Sequence, residues 1–68
     1  MLRIKHLLAE KGLTQSRLAR LADVPESSMS RICRGVEPPY PKRGQRIADA
    51  LGWAGDWSSL FEEVSVDA

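Results

Sequence analysis

The chain is poor in the residues that do chemistry. Its 68 residues hold one cysteine, Cys33, and one histidine, His6. A lone thiol cannot close an internal disulfide, and one imidazole with one thiol cannot assemble a zinc site or a nucleophile paired with a base. No two carboxylates stand at a spacing suited to acid and base work, so an enzyme is the class least supported. Long apolar runs are missing too, and with them any expected bilayer span or signal peptide, which makes the cytoplasm the expected address. There is no internal repeat and no low-complexity tract. At this length the chain makes one domain, near the lower size limit for a single core.

What is present is an ordinary globular composition, 43% apolar and 28% charged. The net charge of +1 conceals a division along the chain. All ten Lys and Arg residues lie in residues 1–46 against four acids, leaving that segment at +6, while the remaining residues carry five acids and no base, at −5. Such halves point to a basic face for a polyanion and an acidic end held away from it.

Apolar spacing divides the chain into five short helices. In "LRIKHLLAEK", residues 2 to 11, Ile4, Leu7 and Leu8 share a face, and Gly12 is placed to end the helix. Thr14 is an N-cap for a second helix, with Leu13 and Leu18 spaced as a hydrophobic staple. That helix turns Leu18, Ala19, Leu21 and Ala22 inward and Arg17 and Arg20 outward. Asp23 suits a sharp left-handed turn, and Pro25 suits the first position of a third helix running to about Arg34. Its Met29, Ile32 and Cys33 share one face, and Glu26, Ser27, Ser30, Arg31 and Arg34 share the other, which has no apolar residue. Gly35 stops it. "VEPPYP" is expected as an extended loop because of its prolines. A fourth helix from roughly Lys42 to Leu51 buries Ile47, Ala50 and Leu51, and a fifth starts at the cap Asp56 with Trp57, Leu60, Phe61 and Val64 in phase.

Two short helices around a tight turn, the first with a small residue at its centre, make a helix-turn-helix unit at residues 14–34. Ala19 is the small contact that lets the helices cross closely. Here the sequence resembles the Cro and phage-repressor (XRE-type) DNA-binding domains, whose unit reads approximately T-Q-x-x-L-A-x-x-x-G-V-S-x-x-x-I-S-x-x-E-x-G. Thr14, Gln15, Leu18, Ala19, Val24, Ser30 and Gly35 match, Met29 substitutes conservatively, and the likeness extends over about residues 2 to 61. A shorter likeness links "YPKRGQRIADALGW" to the Ner-type phage repressors. The resemblance implies an all-α, compact, lambda-repressor-like bundle.

It also implies roles. The helix of residues 26 to 34 is the recognition helix, with Glu26, Ser27 and Arg31 at base-reading positions. Arg31 is the strongest reader, since a guanidinium bonds guanine at two atoms. Gln15, Ser30, Arg34, Lys42 and Arg43 fall at phosphate-contacting positions, where they add affinity and salt dependence rather than sequence choice. The implied partner is double-stranded DNA. A monomer this small reads only a few base pairs, so a homodimer on a palindromic site is the physical expectation, with its contact placed in the acidic C-terminal third at Trp53, Leu60, Phe61 and the "VSV" tail. No cofactor, metal, membrane or small-molecule substrate is implied.

Three positions depart from the pattern. Asp23 replaces the turn glycine, Pro25 replaces a capping Ser or Thr, and Glu26 puts a carboxylate where phosphates lie near. Glu26 is either a specificity element that accepts a bond from a cytosine amino group, the reading we favour, or the mark of a shifted register or of lost DNA binding. His6 reads as a surface residue, Cys33 and Trp57 as core, and Trp53 as either core or partner surface. Three functions therefore stand open: a small Cro-like repressor or regulator of phage, prophage or bacterial origin; an architectural or recombination accessory; and a protein-interaction module without DNA binding.

Overall fold

A computed structural model describes residues 1–39 and 41–65. Tyr40, at the head of the Ner-like stretch, and Val66 of the tail lie outside the described residues. The elements are α1 (Arg3–Lys11), α2 (Gln15–Ala22), α3 (Glu26–Cys33), α4 (Pro41–Leu51) and a 3₁₀ turn at Trp57–Phe61. The expected all-helical bundle is present, with its fifth element a 3₁₀ turn rather than an α-helix. Each element sends at least one aliphatic side chain into a common core, where Ile4, Leu18, Met29, Ile32, Ile47 and Leu60 are completely buried. Each such burial contributes about 1.5–3 kcal/mol, the main stabilising term in so small a chain.

Helix α1 ends at Gly12, whose φ of 64° is the left-handed conformation that glycine adopts without strain. Thr14 caps α2 as its sequence position implies, its hydroxyl accepting the Arg17 backbone N–H at 3.1 Å. Leu18, Ala19 and Ala22 form the buried stripe of α2. Leu21, expected inside, is 58% exposed. Successive residues rotate by about 100°, and Leu21 sits a full step around the helix from Ala22, outside the arc that faces the core.

Asp23 takes the left-handed turn with φ 56°. The N–H groups of Val24 and Asp23 return to the carbonyls of Ala19 and Arg20, at 2.9 and 3.4 Å, which closes α2 with a paired C-terminal motif. Pro25 is not the first residue of α3 but its N-cap, with ψ 141° and its carbonyl accepting the Met29 N–H at 2.9 Å. A proline with extended ψ fits the cap as well as the first turn, because both positions leave the N–H unused.

The prolines of the following loop do not exclude helix throughout, since Pro41 is the first residue of α4. Along α4, Gly44, Ile47, Ala48 and Leu51 face the core, whereas Ala50, expected inside, is only half-buried. Gly44 is mid-helix for a packing reason: a methyl group there would overlap the indole ring of Trp57. Trp57 in turn packs edge-on to Phe61, with centroids 6.1 Å apart.

Asp56 caps the 3₁₀ turn, its carboxylate accepting the Ser58 N–H at 3.2 Å. The turn stops at Phe61 because the next residues exchange helical bonds for pairing with the other end of the chain. Leu2 and Glu63 form an antiparallel bridge, Arg3 N–H donates to the Glu62 carbonyl at 2.9 Å, and Val64 N–H donates to the Met1 carbonyl at 2.9 Å. Val64 is therefore extended, and its expected helical phase with Leu60 is not used.

Cys33 is fully buried, as expected of a core thiol. Burial pushes its pKa from the ordinary 9.0 up to about 11, with Lys5 pulling weakly the other way. Below pH 9 the thiol is neutral folded or unfolded, and its titration contributes nothing to stability. Between about 9 and 11 only the unfolded chain loses this proton, so the Cys33 contribution lowers stability as pH rises. The expected result is that a thiol-reactive disulfide reagent labels the folded chain at neutral pH far more slowly than it labels the chain in denaturant. Equal rates in both would place the thiol at the surface.

Candidate nucleic-acid interface

The two helices of the motif pack against each other, and each buries a small side chain. Ala19 of α2 is 1% exposed, and Ser28 of α3, which sequence reasoning left unassigned, is 8% exposed. Ser28, Met29, Ile32 and Cys33 make a buried stripe at i, i+1, i+4 and i+5, and the spacing back from Ile32 was the signal for Ser28 that its polarity obscured. With that stripe inward, Ser27 and Arg34 are exposed and Ser30 and Arg31 are half-exposed.

Gln15 is the first residue of α2 and half-buried. Glu26 opens α3, where a carboxylate complements the positive end of the helix. Its side chain accepts a hydrogen bond from the Ser16 hydroxyl, which fastens the start of α3 to the start of α2. This intramolecular role for Glu26 was not visible in the sequence, because the partner sits ten residues back on another helix.

Arg31 and Arg43 are brought together by a third residue that carried no assignment. Glu37 accepts from Arg31 Nε at 2.9 Å through one carboxylate oxygen and lies 3.5 Å from Arg43 Nη1 through the other. Lys42 and Arg34 are exposed and make no ion pair among the described residues. The three-residue cluster carries two positive charges against one negative, so it remains attractive to an anion.

A second unassigned residue locks the turn. Arg46 of α4 donates from Nε to the Ala22 carbonyl at 3.0 Å and from Nη2 to the Asp23 carbonyl at 3.2 Å. Carbonyls at the end of a helix lack intrahelical partners, and a guanidinium both bonds them and offsets the negative end of the α2 dipole. The contact spans more than twenty residues of sequence and leaves no local signature. Arg46→Ala is expected to lower unfolding stability by about 1 kcal/mol, measured by urea titration. An unchanged midpoint would mean that water replaces the guanidinium at no cost.

The sequence that builds this geometry, a short helix carrying a polar face and joined to its partner across a left-handed turn, matches a known family. The helix-turn-helix domain profile covers residues 2–61. The chain belongs to the helix-turn-helix domain family. Membership at this level suggests DNA binding. No curated protein and no solved structure matches the chain. Helix α2 packs against both α3 and α4, and the 3₁₀ turn packs against α4 and α1.

The residues expected at a dimer contact are not all available to a partner. Leu60 is fully buried in its own chain and offers nothing to a partner, and the Trp53 indole N–H is engaged by the Asp56 carbonyl at 3.0 Å and the Ser59 hydroxyl at 3.1 Å. Phe61 and Val64 are half-buried, and no helix among the described residues is long and apolar enough to cross a membrane.

Proposed function

We propose that the chain binds double-stranded DNA sequence-specifically and acts as a small Cro-like transcriptional repressor or regulator, of phage, prophage or bacterial origin. The observation that carries this reading is the face of α3: Ser27 and Arg34 are exposed and Ser30 and Arg31 partly exposed, while the opposite face is packed against the core. A helix offered in this way, with its axis fixed by the Asp23 turn and by Arg46, has the form of a rod that enters the major groove. Arg31 would read a base edge, with Ser27 beside it. Gln15, Ser30, Arg34, Lys42 and Arg43 would hold phosphates. The action would be occlusion of a promoter.

So small a domain contacts few base pairs, and two copies on a palindrome would supply the affinity an operator needs. The dimer contact is then expected away from Leu60. Among the described residues, Leu21 and Val36, the latter 67% exposed, are the large apolar side chains left outside the core beyond the first residue.

The test is titration of labelled duplex at several salt concentrations, followed by selection of bound sequences from a random pool. A DNA binder of this kind shows affinity falling steeply with salt and an enriched motif. Absence of binding in dilute buffer would leave the protein-interaction reading. Binding without an enriched motif would favour an architectural role.

A further inference from the structure

Among the described residues, Glu37 is the acidic side chain that the fold sets between Arg31 and Arg43, two of the side chains proposed to meet DNA, and the way it arrives there is specific. Gly35, with φ 78°, ends α3 in the left-handed conformation. The reversal lets the Val36 N–H donate to the Arg31 carbonyl at 3.0 Å and the Glu37 N–H donate to the same carbonyl at 3.3 Å. Glu37 is thus tied to the main chain of Arg31 before its carboxylate reaches the side chain. The carboxylate then accepts from Arg31 Nε at 2.9 Å, and its other oxygen faces Arg43 Nη1 at 3.5 Å. Its side chain is 26% exposed, against 43% for Arg31, so the anion lies behind the cation it holds.

We propose that Glu37 is a positioning residue for base recognition, holding the Arg31 guanidinium by Nε so that its two terminal nitrogens project as a fixed fork. The inference rests on the reading of Arg31 as a base-contacting residue. A guanidinium is a planar fork with five N–H donors, and bonding at Nε leaves the Nη1 and Nη2 edge for a ligand with two adjacent acceptors, such as the O6 and N7 edge of guanine. A free arginine must surrender rotamer freedom when it reads a base. One already held by Glu37 and by the main chain surrenders less. The advantage applies only where Arg31 finds its correct base, because on a wrong base it gains nothing from being ordered. Glu37 therefore raises discrimination at one base pair, while its negative charge slightly lowers affinity for every duplex.

The experiment uses the duplex enriched from a random pool and its set of single base-pair variants, titrated with the unaltered chain, E37A, E37Q, R31A and the R31A/E37A pair. E37A is expected to lose about three- to tenfold of the preference at the base pair whose preference R31A removes, and nothing elsewhere. E37Q keeps an oxygen that accepts from Nε and is expected to retain most of that preference. Both variants bind the whole set somewhat more tightly, and the double variant discriminates no worse than R31A alone. If E37A does not keep its helical circular dichroism, Glu37→Met, which preserves the stem and lacks the acceptor, carries the same expectation. Full discrimination in E37A, or equal loss at every position, overturns the positioning role. Loss of discrimination by R31A without any by E37A overturns this inference and spares the DNA reading. Unchanged discrimination in R31A removes Arg31 from the reading role, and Glu37 falls with it.

Discussion

Gly44→Ala lowers the thermal midpoint by about 10 °C, on the expectation that overpacking at this site costs about 1–3 kcal/mol. The sign is the informative part. Alanine is favoured over glycine in a helix interior by about 1 kcal/mol, so helix propensity alone predicts that the change stabilises α4. The Trp57 ring reverses that expectation. An alanine methyl at position 44 would occupy the space of three ring atoms. The ring is held by its edge-on contact with Phe61, and withdrawing it loosens the 3₁₀ turn that carries Leu60 into the core. Thermal unfolding followed by circular dichroism measures the effect. A double-mutant cycle with Trp57→Ala assigns it, since the penalty of the alanine should largely disappear once the ring is gone. A midpoint that rises in the single variant would show that the ring moves aside freely.

Arg31→Ala and Lys42→Ala should fail in different ways. Loss of a guanidinium that bonds one base at two atoms costs about 1–3 kcal/mol on the preferred duplex and relaxes the choice at a single base pair. Loss of the exposed Lys42 ammonium should weaken all duplexes alike and reduce the dependence of log affinity on log salt by about one. Titration of the preferred duplex and of a scrambled one, each at three or more salt concentrations, separates the two patterns. Equal losses on both duplexes for both variants would make Arg31 another phosphate contact.

Much of this chain is legible without coordinates because its local signals are unusually consistent. Thr14, Gly12, Asp23, Gly35 and Asp56 each announce a helix end through the backbone conformation or hydrogen bond that the residue makes easily, and each acts as its type implies. Apolarity or polarity is not a proxy for a residue's angle around the helix. Leu21, expected inside, is outside, and Ser28, polar and unassigned by the sequence, is inside. Ala50 and Ala48 differ by two residues, and only the packing of α4 against α2 and the 3₁₀ turn decides which of them is buried. The fifth helix was expected from the spacing of Trp57, Leu60, Phe61 and Val64, a pattern that holds no information about the competing bonds offered by residues 1–3.

The interface divides along the same line. The polar face of α3 follows from the 3.6-residue repeat, and along it Ser27 and Arg34 are exposed and Arg31 partly exposed. Glu37, Arg46 and Ser16, which fasten that face in place, had no motif to reveal them. Their partners are distant along the chain or lie beyond a turn, and one side chain among many charged ones carries no mark of where it will be paired.

By itself, then, the order of residues determined the number of helical elements, the turns at Gly12, Thr14, Asp23 and Gly35, and the family likeness, since these depend on interactions within a few residues. Tertiary structure alone decided which carboxylate meets which base, why Gly44 must be glycine, and how the two ends of the chain are joined. Those outcomes depend on three-dimensional proximity, which arises only when separate helices share one core and which no short-range pattern encodes.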